Sequence, residues 1–359
     1  MRIQESIERR EMDAQNRNRF ADIPSSRALG ILIIFVLITL YGMITYHPLP
    51  TPPDQKGEDL DCYRRIIERI HSGEGYYSAA GDELRGRGYP VRSVFNWRLP
   101  FLALFMGYLP NLFTAQALAF LLAAATFFVW FRILERQYPF VQVAIGSLLI
   151  LAPPIYSLLP GVFLAHEFWA GTCIALSVGA HIRGWRMVAV IAGLAGLFIR
   201  ELTFPFVIMM LALACIEKRR SEAAAWGIGI FAFAAAYLLH WSVVAGQIHS
   251  GDIALTGGWV VFGGWDFVLS TAQMHPYLFL APPWATAIVL PMSLLGLLGL
   301  GHPSWWRLSL SVCLYVLAFL FVGNAFNQYW GFMYTNLLLV GLLNAVPSIL
   351  SLIKRIQSN

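Results

Sequence analysis

The sequence predicts an all-α, polytopic membrane protein, and three observations support that fold class. Hydrophobic residues make up 58% of the 359 residues and charged residues only 13%, whereas soluble domains have about 45–50% apolar and about 25% charged residues. Mean hydropathy is +0.62. Apolar runs of nearly bilayer-spanning length recur along the whole chain. This composition excludes a soluble enzyme, a disordered chain and a nucleic-acid binder.

Ten apolar runs are candidates for membrane helices, because about 20 apolar residues are needed to cross a bilayer. In chain order they are 28–46, 113–131, 141–159, 163–181, 187–199, 204–216, 223–245, 284–300, 306–322 and 330–352. The sequence therefore predicts about ten transmembrane helices.

The distribution of basic residues predicts the orientation of these spans, because cytoplasmic loops contain an excess of Lys and Arg. With the N-terminus inside, most of the 25 basic residues lie on the cytoplasmic side. We expect a polar cytoplasmic segment over 1–27, without a cleavable signal peptide, and one transmembrane domain over 28–359. Both termini would be cytoplasmic, and 47–98 and 247–283 would be the long outer loops.

Two of the spans, 187–199 and 204–216, are unusually short. Thirteen residues of helix rise about 20 Å, whereas the hydrocarbon core is about 30 Å thick. Basic clusters at both far ends prevent the two runs from forming one span. We therefore expect a hairpin whose turn, Arg200-Glu201-Leu202-Thr203, lies below the outer surface. Charged groups at that depth require a protein-lined or watery cavity, which predicts a recess that opens outward.

The first outer loop contains the pattern of a surface helix. Apolar residues at 60, 63, 66, 67 and 70 share one helical face, and charged residues occupy the other. Gly73 and Gly75 would end this helix. The apolar stretch 99–109 is too short to span and predicts a second surface or re-entrant helix. In the second outer loop, Gly-Gly-Trp occurs at 257–259 and 263–265; these Trp residues suit either sugar binding or an ordinary interfacial belt.

The first outer loop also resembles that of a known enzyme class. The relevant segments are Glu58-Asp59-Leu60-Asp61-Cys62-Tyr63, Gly73-Glu74-Gly75-Tyr76-Tyr77, Gly88-Tyr89-Pro90 and Trp97-Arg98-Leu99-Pro100. With the multi-span plan and the large first loop, they resemble GT-C type integral-membrane glycosyltransferases. They are most similar to the bacterial polyprenol-phosphate-mannose-dependent, mannosyltransferase-like group.

The resemblance implies an inverting hexosyltransferase in the bacterial inner membrane, with its active site facing outward. It would transfer a sugar from a polyprenyl-phosphate donor to a glycan or lipid acceptor in the cell envelope. No cofactor is expected. Whether a divalent cation assists the reaction, and which oligomeric state the protein has, stay open. Besides the sugar substrates, the expected partner is the lipid bilayer, not nucleic acid.

Two carboxylates are candidates for the general base that accepts a proton from the acceptor hydroxyl. Asp59 directly precedes the amphipathic stretch, so a helix N-cap is the alternative role. Asp61 is the second candidate, and a solvated helix face is its alternative. The sequence leaves the choice between them open.

Two arginines are candidates for binding the donor phosphate through charge-assisted hydrogen bonds. Arg200 is the first, and an internal ion pair with Glu201 or Glu167 is its alternative. Arg98 is the second, and snorkelling to lipid headgroups is its alternative. Supporting or substrate-binding roles are expected for the remaining residues of the site. These are Glu201, Glu167, His166, Tyr63 and Tyr329.

No metal site is expected, since the adjacent side chains of His166 and Glu167 point about 100° apart on a helix and no C-x-x-C pair occurs. Two other classes of function stay open. One is a transporter or flippase of a lipid-linked or anionic substrate, although the two halves show no hydropathy repeat. The other is a non-enzymatic assembly subunit with outer docking loops.

Overall fold

The computed structural model describes residues 18–47, 58–254 and 261–358, and within these ranges it contains helices and no strands. The α-helices are α1 (Ser25–Thr45), α2 (Glu58–His71), α3 (Tyr76–Gly86), α4 (Pro100–Gly107), α5 (Leu112–Gln137), α6 (Phe140–Ile150), α7 (Ala152–Ser157), α8 (His166–Ile182), α9 (Arg186–Ile199), α10 (Phe204–Ile216), α11 (Arg220–Gln247), α12 (Gly264–Ala272), α13 (Pro276–Leu280), α14 (Pro283–Leu298), α15 (Trp306–Phe321), α16 (Phe332–Leu338) and α17 (Ala345–Gln357). Short 3₁₀ helices join several of them, at Arg19–Asp22, Val94–Asn96, Val162–Leu164, Glu201–Thr203, Pro303–Trp305, Ala325–Gly331 and Leu339–Asn344.

In the described part of the chain, six helical segments are long and apolar enough to cross a membrane. They are Ser25–Thr45, Leu112–Gln137, Phe140–Ser157, Arg220–Gln247, Pro303–Phe321 and Ala325–Gln357. Three shorter apolar helices are Arg186–Ile199, Glu201–Ile216 and Pro283–Leu298. The one remaining expected span, 163–181, corresponds to the 17-residue α8. The all-helical, polytopic class is thus supported, and the count of ten spans stays a prediction.

Helix α8 lies at the centre of the bundle, with nearly every residue from His166 to His181 buried. It packs against α5, α9 and α16. The contact with α16 is between backbones, because a Cβ added at Gly171 would lie 1.8 Å from the carbonyl oxygen of Phe332. A small residue at this point allows the two helices to approach closely, as is common in membrane proteins.

The predicted hairpin is confirmed: the two short apolar runs form two helices that are joined by a turn. Arg200 is extended (φ −148°, ψ 117°) between α9 and α10. At the opposite end of these helices, Arg186 and Arg219 both reach Glu222, at 4.0 and 3.5 Å. The helices therefore run antiparallel, with their basic ends together and Arg200 at the turn.

A helix is confirmed over the predicted stretch of the first loop, as α2; its place along the membrane surface stays a prediction. Its apolar face buries Ile66, Ile67 and Ile70 against α3 and α4, and the chain turns at Gly73 with φ +98°. The short apolar stretch forms α4. A Cβ at Gly107 of α4 would lie 2.4 Å from Ile70, so the contact between α2 and α4 is close. In the second loop, 255–260 lies outside the described residues, including the first Gly-Gly-Trp.

We expect Gly171→Ala to lower the melting temperature clearly, because the new methyl group meets a backbone carbonyl that cannot rotate away. Overpacking of this kind costs about 1–3 kcal/mol, occasionally more. Gly227→Ala is the matched control, because no atom lies within 4 Å of the added Cβ in α11. That change should be neutral or stabilising by up to about 1 kcal/mol. Thermal unfolding in detergent measures both, and equal melting temperatures would contradict the close helix contact.

Candidate functional site

A cavity of about 510 Å³ lies between the segment 59–98, the start of α8 and the segment before α16. Several of the predicted site residues line it together. They are Asp59, Tyr63, Arg98, Glu167 and Tyr329. Tyr156, Val162, Phe326 and Phe332 add aromatic and apolar surface to the lining, and the rings of Tyr156 and Phe332 lie 5.5 Å apart. The cavity thus combines charged groups with an extended apolar surface.

Asp59 lies in the first turn of α2 and is held by a hydrogen bond. The hydroxyl of Tyr89 donates to Oδ1 of Asp59, and both residues line the cavity. A carboxylate at this end of a helix is favoured by the helix dipole. Asp59 is therefore a fixed carboxylate on the cavity wall.

Asp61 occupies a different place. It lies outside the cavity wall, and it pairs with Arg64 and with Arg87, whose Nη2 lies 2.6 Å from Oδ2. Hydrogen bonds from Arg64 and then Arg87 lower the pKa of Asp61 to about 2. Because an effective general base has a pKa near the working pH, Asp61 is the weaker of the two candidates.

Arg200 lies behind the cavity wall and is neutralised there. It is 2% exposed, its Nε donates to Oε1 of Glu167 at 2.6 Å, and its Nη1 donates to Glu201. The two carboxylates balance the guanidinium charge. This arrangement matches the internal ion pair that the sequence left as the alternative to phosphate binding.

Arg98 brings a guanidinium to the cavity itself. Its Nε donates to the Tyr63 hydroxyl at 3.2 Å, and its Nη1 donates to the Phe95 carbonyl at 3.3 Å. Its Nη2 lies 4.0 Å from Oε1 of Glu167, the atom that Arg200 contacts at 2.6 Å. Arg98 therefore shares a carboxylate that is already paired, and its charge is less fully balanced than that of Arg200.

The two aromatic candidates lie beside these charges. Burial raises the pKa of Tyr63 well above its usual value, and the charge of Arg98 opposes that shift only in part. Tyr63 is therefore a neutral phenol at physiological pH. Tyr329 donates a long hydrogen bond of 3.4 Å to Oδ1 of Asn327, and both residues line the cavity.

His166 is separated from the large cavity. It is 3% exposed, and neither ring nitrogen has a hydrogen-bond partner. Its ring meets that of Tyr63 edge-on, with centroids 4.9 Å apart. His166 lines a smaller cavity, which Arg98 also lines.

Sequence reasoning did not assign a role to Tyr89 or to Arg87. Tyr89 was part of the resemblance through Gly88-Tyr89-Pro90, but nothing in the spacing indicates that it reaches Asp59, thirty positions earlier. Arg87 was one basic residue among several in a loop of mixed charge. Contacts between helices that are distant in sequence give no periodic signal.

Comparison with known proteins assigns no family. No protein-family model, curated protein or solved structure matches the chain. The interpretation of the site therefore depends on the geometry above and on the loop motifs.

We expect Arg200→Ala to destabilise the protein more than Arg98→Ala. Removing Arg200 leaves the buried carboxylate of Glu167 without its main partner, and breaking such a pair costs about 3–5 kcal/mol. Arg98→Ala removes two long hydrogen bonds to uncharged oxygens, at 3.2 and 3.3 Å, and it leaves Glu167 paired with Arg200. No buried carboxylate loses its main partner in this variant, so the cost is smaller. Thermal or denaturant unfolding in detergent ranks the two, and a larger loss in Arg98→Ala would contradict the structural role of Arg200.

Proposed function

We propose that the chain is a GT-C type membrane glycosyltransferase that transfers a hexose from a polyprenyl-phosphate donor to a hydroxyl of a glycan or lipid acceptor. One observation supports this most directly. Asp59 and Arg98 line the same cavity, next to an apolar wall. A lipid-linked sugar phosphate has the matching parts: a reacting sugar, an anionic phosphate and an apolar chain.

The proposed reaction is a single displacement with inversion. The carboxylate of Asp59 accepts the proton of the acceptor hydroxyl while its oxygen forms a bond to the anomeric carbon. The bond between that carbon and the phosphate oxygen breaks, and its electron pair stays on the phosphate. Arg98 stabilises this growing negative charge, which is greatest in the transition state.

The phosphate is assigned to Arg98 rather than to Arg200, which the sequence favoured. Arg200 already has two carboxylate partners and lies behind Glu167, so phosphate binding would require a buried ion pair to open. Such an opening exposes an unpaired buried charge and is costly. In this proposal Arg200 holds Glu167, and Glu167 orients Arg98.

The apolar wall suits the first isoprene units of the donor. Tyr156, Val162 and Phe332 line this side of the cavity. A polyprenyl chain is long and stays in the bilayer, so only its head and the adjacent units would enter. Burial of apolar surface here contributes about 25 cal/mol per Å².

The proposed location is the bacterial inner membrane, with cytoplasmic termini and an outward-facing cavity. The distribution of basic residues supports this orientation. At one end of the hairpin Arg186 and Arg219 lie around Glu222, and Arg307 lies at the same end, 2.9 Å from Glu217. Arg200 and the cavity lie towards the other end of the hairpin. An excess of basic residues is typical of the cytoplasmic side.

We expect Asp59→Asn to bind the donor with nearly wild-type affinity but to slow transfer about 10²–10⁴-fold, because the amide keeps the shape and cannot accept the proton. Asp61→Asn is the matched control and should keep transfer within a few-fold. The measurement is transfer from a radiolabelled polyprenyl-phosphate sugar in vesicles, with donor binding measured separately. Full activity of Asp59→Asn together with loss in Asp61→Asn would move the base to Asp61.

Arg98→Ala should weaken donor binding and slow turnover together, because the phosphate is charged in both the ground state and the transition state. Arg98→Lys keeps the charge but loses the planar fork, so it should recover only part of the activity. A transporter would instead move intact donor across the vesicle membrane without release of polyprenyl phosphate. That outcome would replace the enzyme proposal.

The orientation is tested with single cysteines in a Cys215→Ser background. Lys218→Cys, in the exposed turn after α10, should react with a membrane-impermeant maleimide only after the cells are permeabilised. Ser72→Cys, in the exposed turn after α2, should react from outside in intact cells. Reaction of Lys218→Cys in intact cells would reverse the proposed topology.

A further inference from the structure

A second, smaller cavity of about 20 Å³ adjoins the large one. Tyr63, Leu84, Asn96 and Arg98 line both cavities. Of the two, His166 lines only the small cavity. The small cavity therefore shares Arg98 with the proposed substrate site.

The side chain of His166 has unpartnered polar atoms at this cavity. A neutral imidazole has one N–H donor and one nitrogen acceptor. Both ring nitrogens of His166 are buried and have no hydrogen-bond partner in the protein. Buried polar groups are nearly always hydrogen-bonded to protein or to ordered water, so this pair of unpartnered atoms indicates a missing partner.

The size and lining of the cavity fit one water molecule. A cavity needs about 10–15 Å³ to hold a water, which usually makes about three hydrogen bonds to buried polar groups. Five of the twelve lining residues are polar, namely Tyr63, Tyr76, Asn96, Arg98 and His166, and the other seven are apolar. The hydrogen-bond partners of a water here would therefore come from these five residues. The Tyr63 oxygen accepts from Nε of Arg98 at 3.2 Å, which leaves the Tyr63 hydroxyl proton to be donated elsewhere. The Tyr76 hydroxyl donates to the Arg98 carbonyl, and its oxygen keeps acceptor capacity.

We propose that the small cavity holds one ordered water that links His166 to the Tyr63 hydroxyl, and that His166 thereby positions Arg98 through Tyr63. The water accepts a hydrogen bond from the Tyr63 hydroxyl and makes a second hydrogen bond to one imidazole nitrogen of His166. Tyr63 then presents its lone pairs to Nε of Arg98, which fixes the guanidinium plane on the cavity wall. The catalytic consequence depends on the proposed function; the water site itself does not. His166 is a positioning residue and does not touch the substrate.

Two variants separate this role from simple packing. His166→Gln keeps one donor and one acceptor at similar reach, so it should retain the water and the position of Arg98. His166→Phe fills the space with an apolar ring and removes both polar atoms, so it should expel the water. A packing role predicts the reverse order, because Phe replaces a buried ring better than Gln does.

The first test is structural and independent of activity. High-resolution structures of the full-length wild type and both variants should show an ordered water in the small cavity of the wild type and of His166→Gln. In His166→Phe the water should be absent and the Arg98 guanidinium displaced or in several conformations. A dry wild-type cavity, or an unchanged Arg98 in His166→Phe, would overturn the inference.

The second test measures donor binding with a polyprenyl-phosphate hexose in detergent. His166→Phe should weaken binding about 5- to 10-fold, the usual effect of losing one hydrogen bond between neutral groups, and His166→Gln should stay within about twofold. Binding by His166→Phe that equals or exceeds that of His166→Gln would overturn the positioning role. If the wild type does not bind the donor, the proposed function fails, and the structures alone decide whether His166 positions Arg98.

Discussion

The buried contact between Glu167 and Arg200 connects the parts of the structure that form the cavity. Glu167 lies in the first turn of the central helix α8, and Arg200 is the turn residue of the α9–α10 hairpin. Their side chains are 1% and 2% exposed, and the Nε–Oε1 distance is 2.6 Å. Removing two charges from water is costly, so such a pair persists only with good geometry and further partners. Here Glu201 supplies a second partner for Arg200, and the N-terminus of α8 favours the charge of Glu167.

This pair also sets different electrostatic roles for two arginines. Because Glu167 is committed to Arg200, it lies 4.0 Å from Nη2 of Arg98 and balances that charge only in part. Arg98 is therefore the guanidinium of the cavity wall, whereas Arg200 maintains the scaffold.

Close contacts between backbone segments also hold the elements around the cavity in place. At Gly171 and Gly331 an added Cβ would lie 1.8 and 1.9 Å from a backbone oxygen of a neighbouring segment, so these elements have little freedom to separate.

Much of the fold follows from patterns that have direct physical causes. Two apolar runs too short to cross a bilayer, with basic residues at both far ends, predict a hairpin turn at Arg200, and the turn is observed. An apolar stripe at helical spacing predicts α2, and its isoleucines are buried. Of the site residues expected in the first loop, Asp59, Tyr63 and Arg98 line one cavity.

The pairings within the site could not be predicted from the sequence. Glu167 and Arg200 are 33 positions apart, and no periodicity connects them. Asp59 and Asp61 are two residues apart, which separates their side chains by about 200° around a helix, so only one can face the cavity. Which one does so depends on how α2 rotates when Ile66 and Ile70 are buried, and on Arg87 and Tyr89 from the next helix and turn. These are tertiary contacts, which the periodicity of the sequence does not report.

The most direct test of the central claim is a structure of the full-length protein with a polyprenyl-phosphate hexose bound in lipid nanodiscs. The account predicts that the phosphate lies in the large cavity within hydrogen-bonding distance of Arg98, with the anomeric carbon towards Asp59 and the Glu167–Arg200 pair intact. A phosphate bound to Arg200 with that pair opened, or a donor bound outside this cavity, would contradict it.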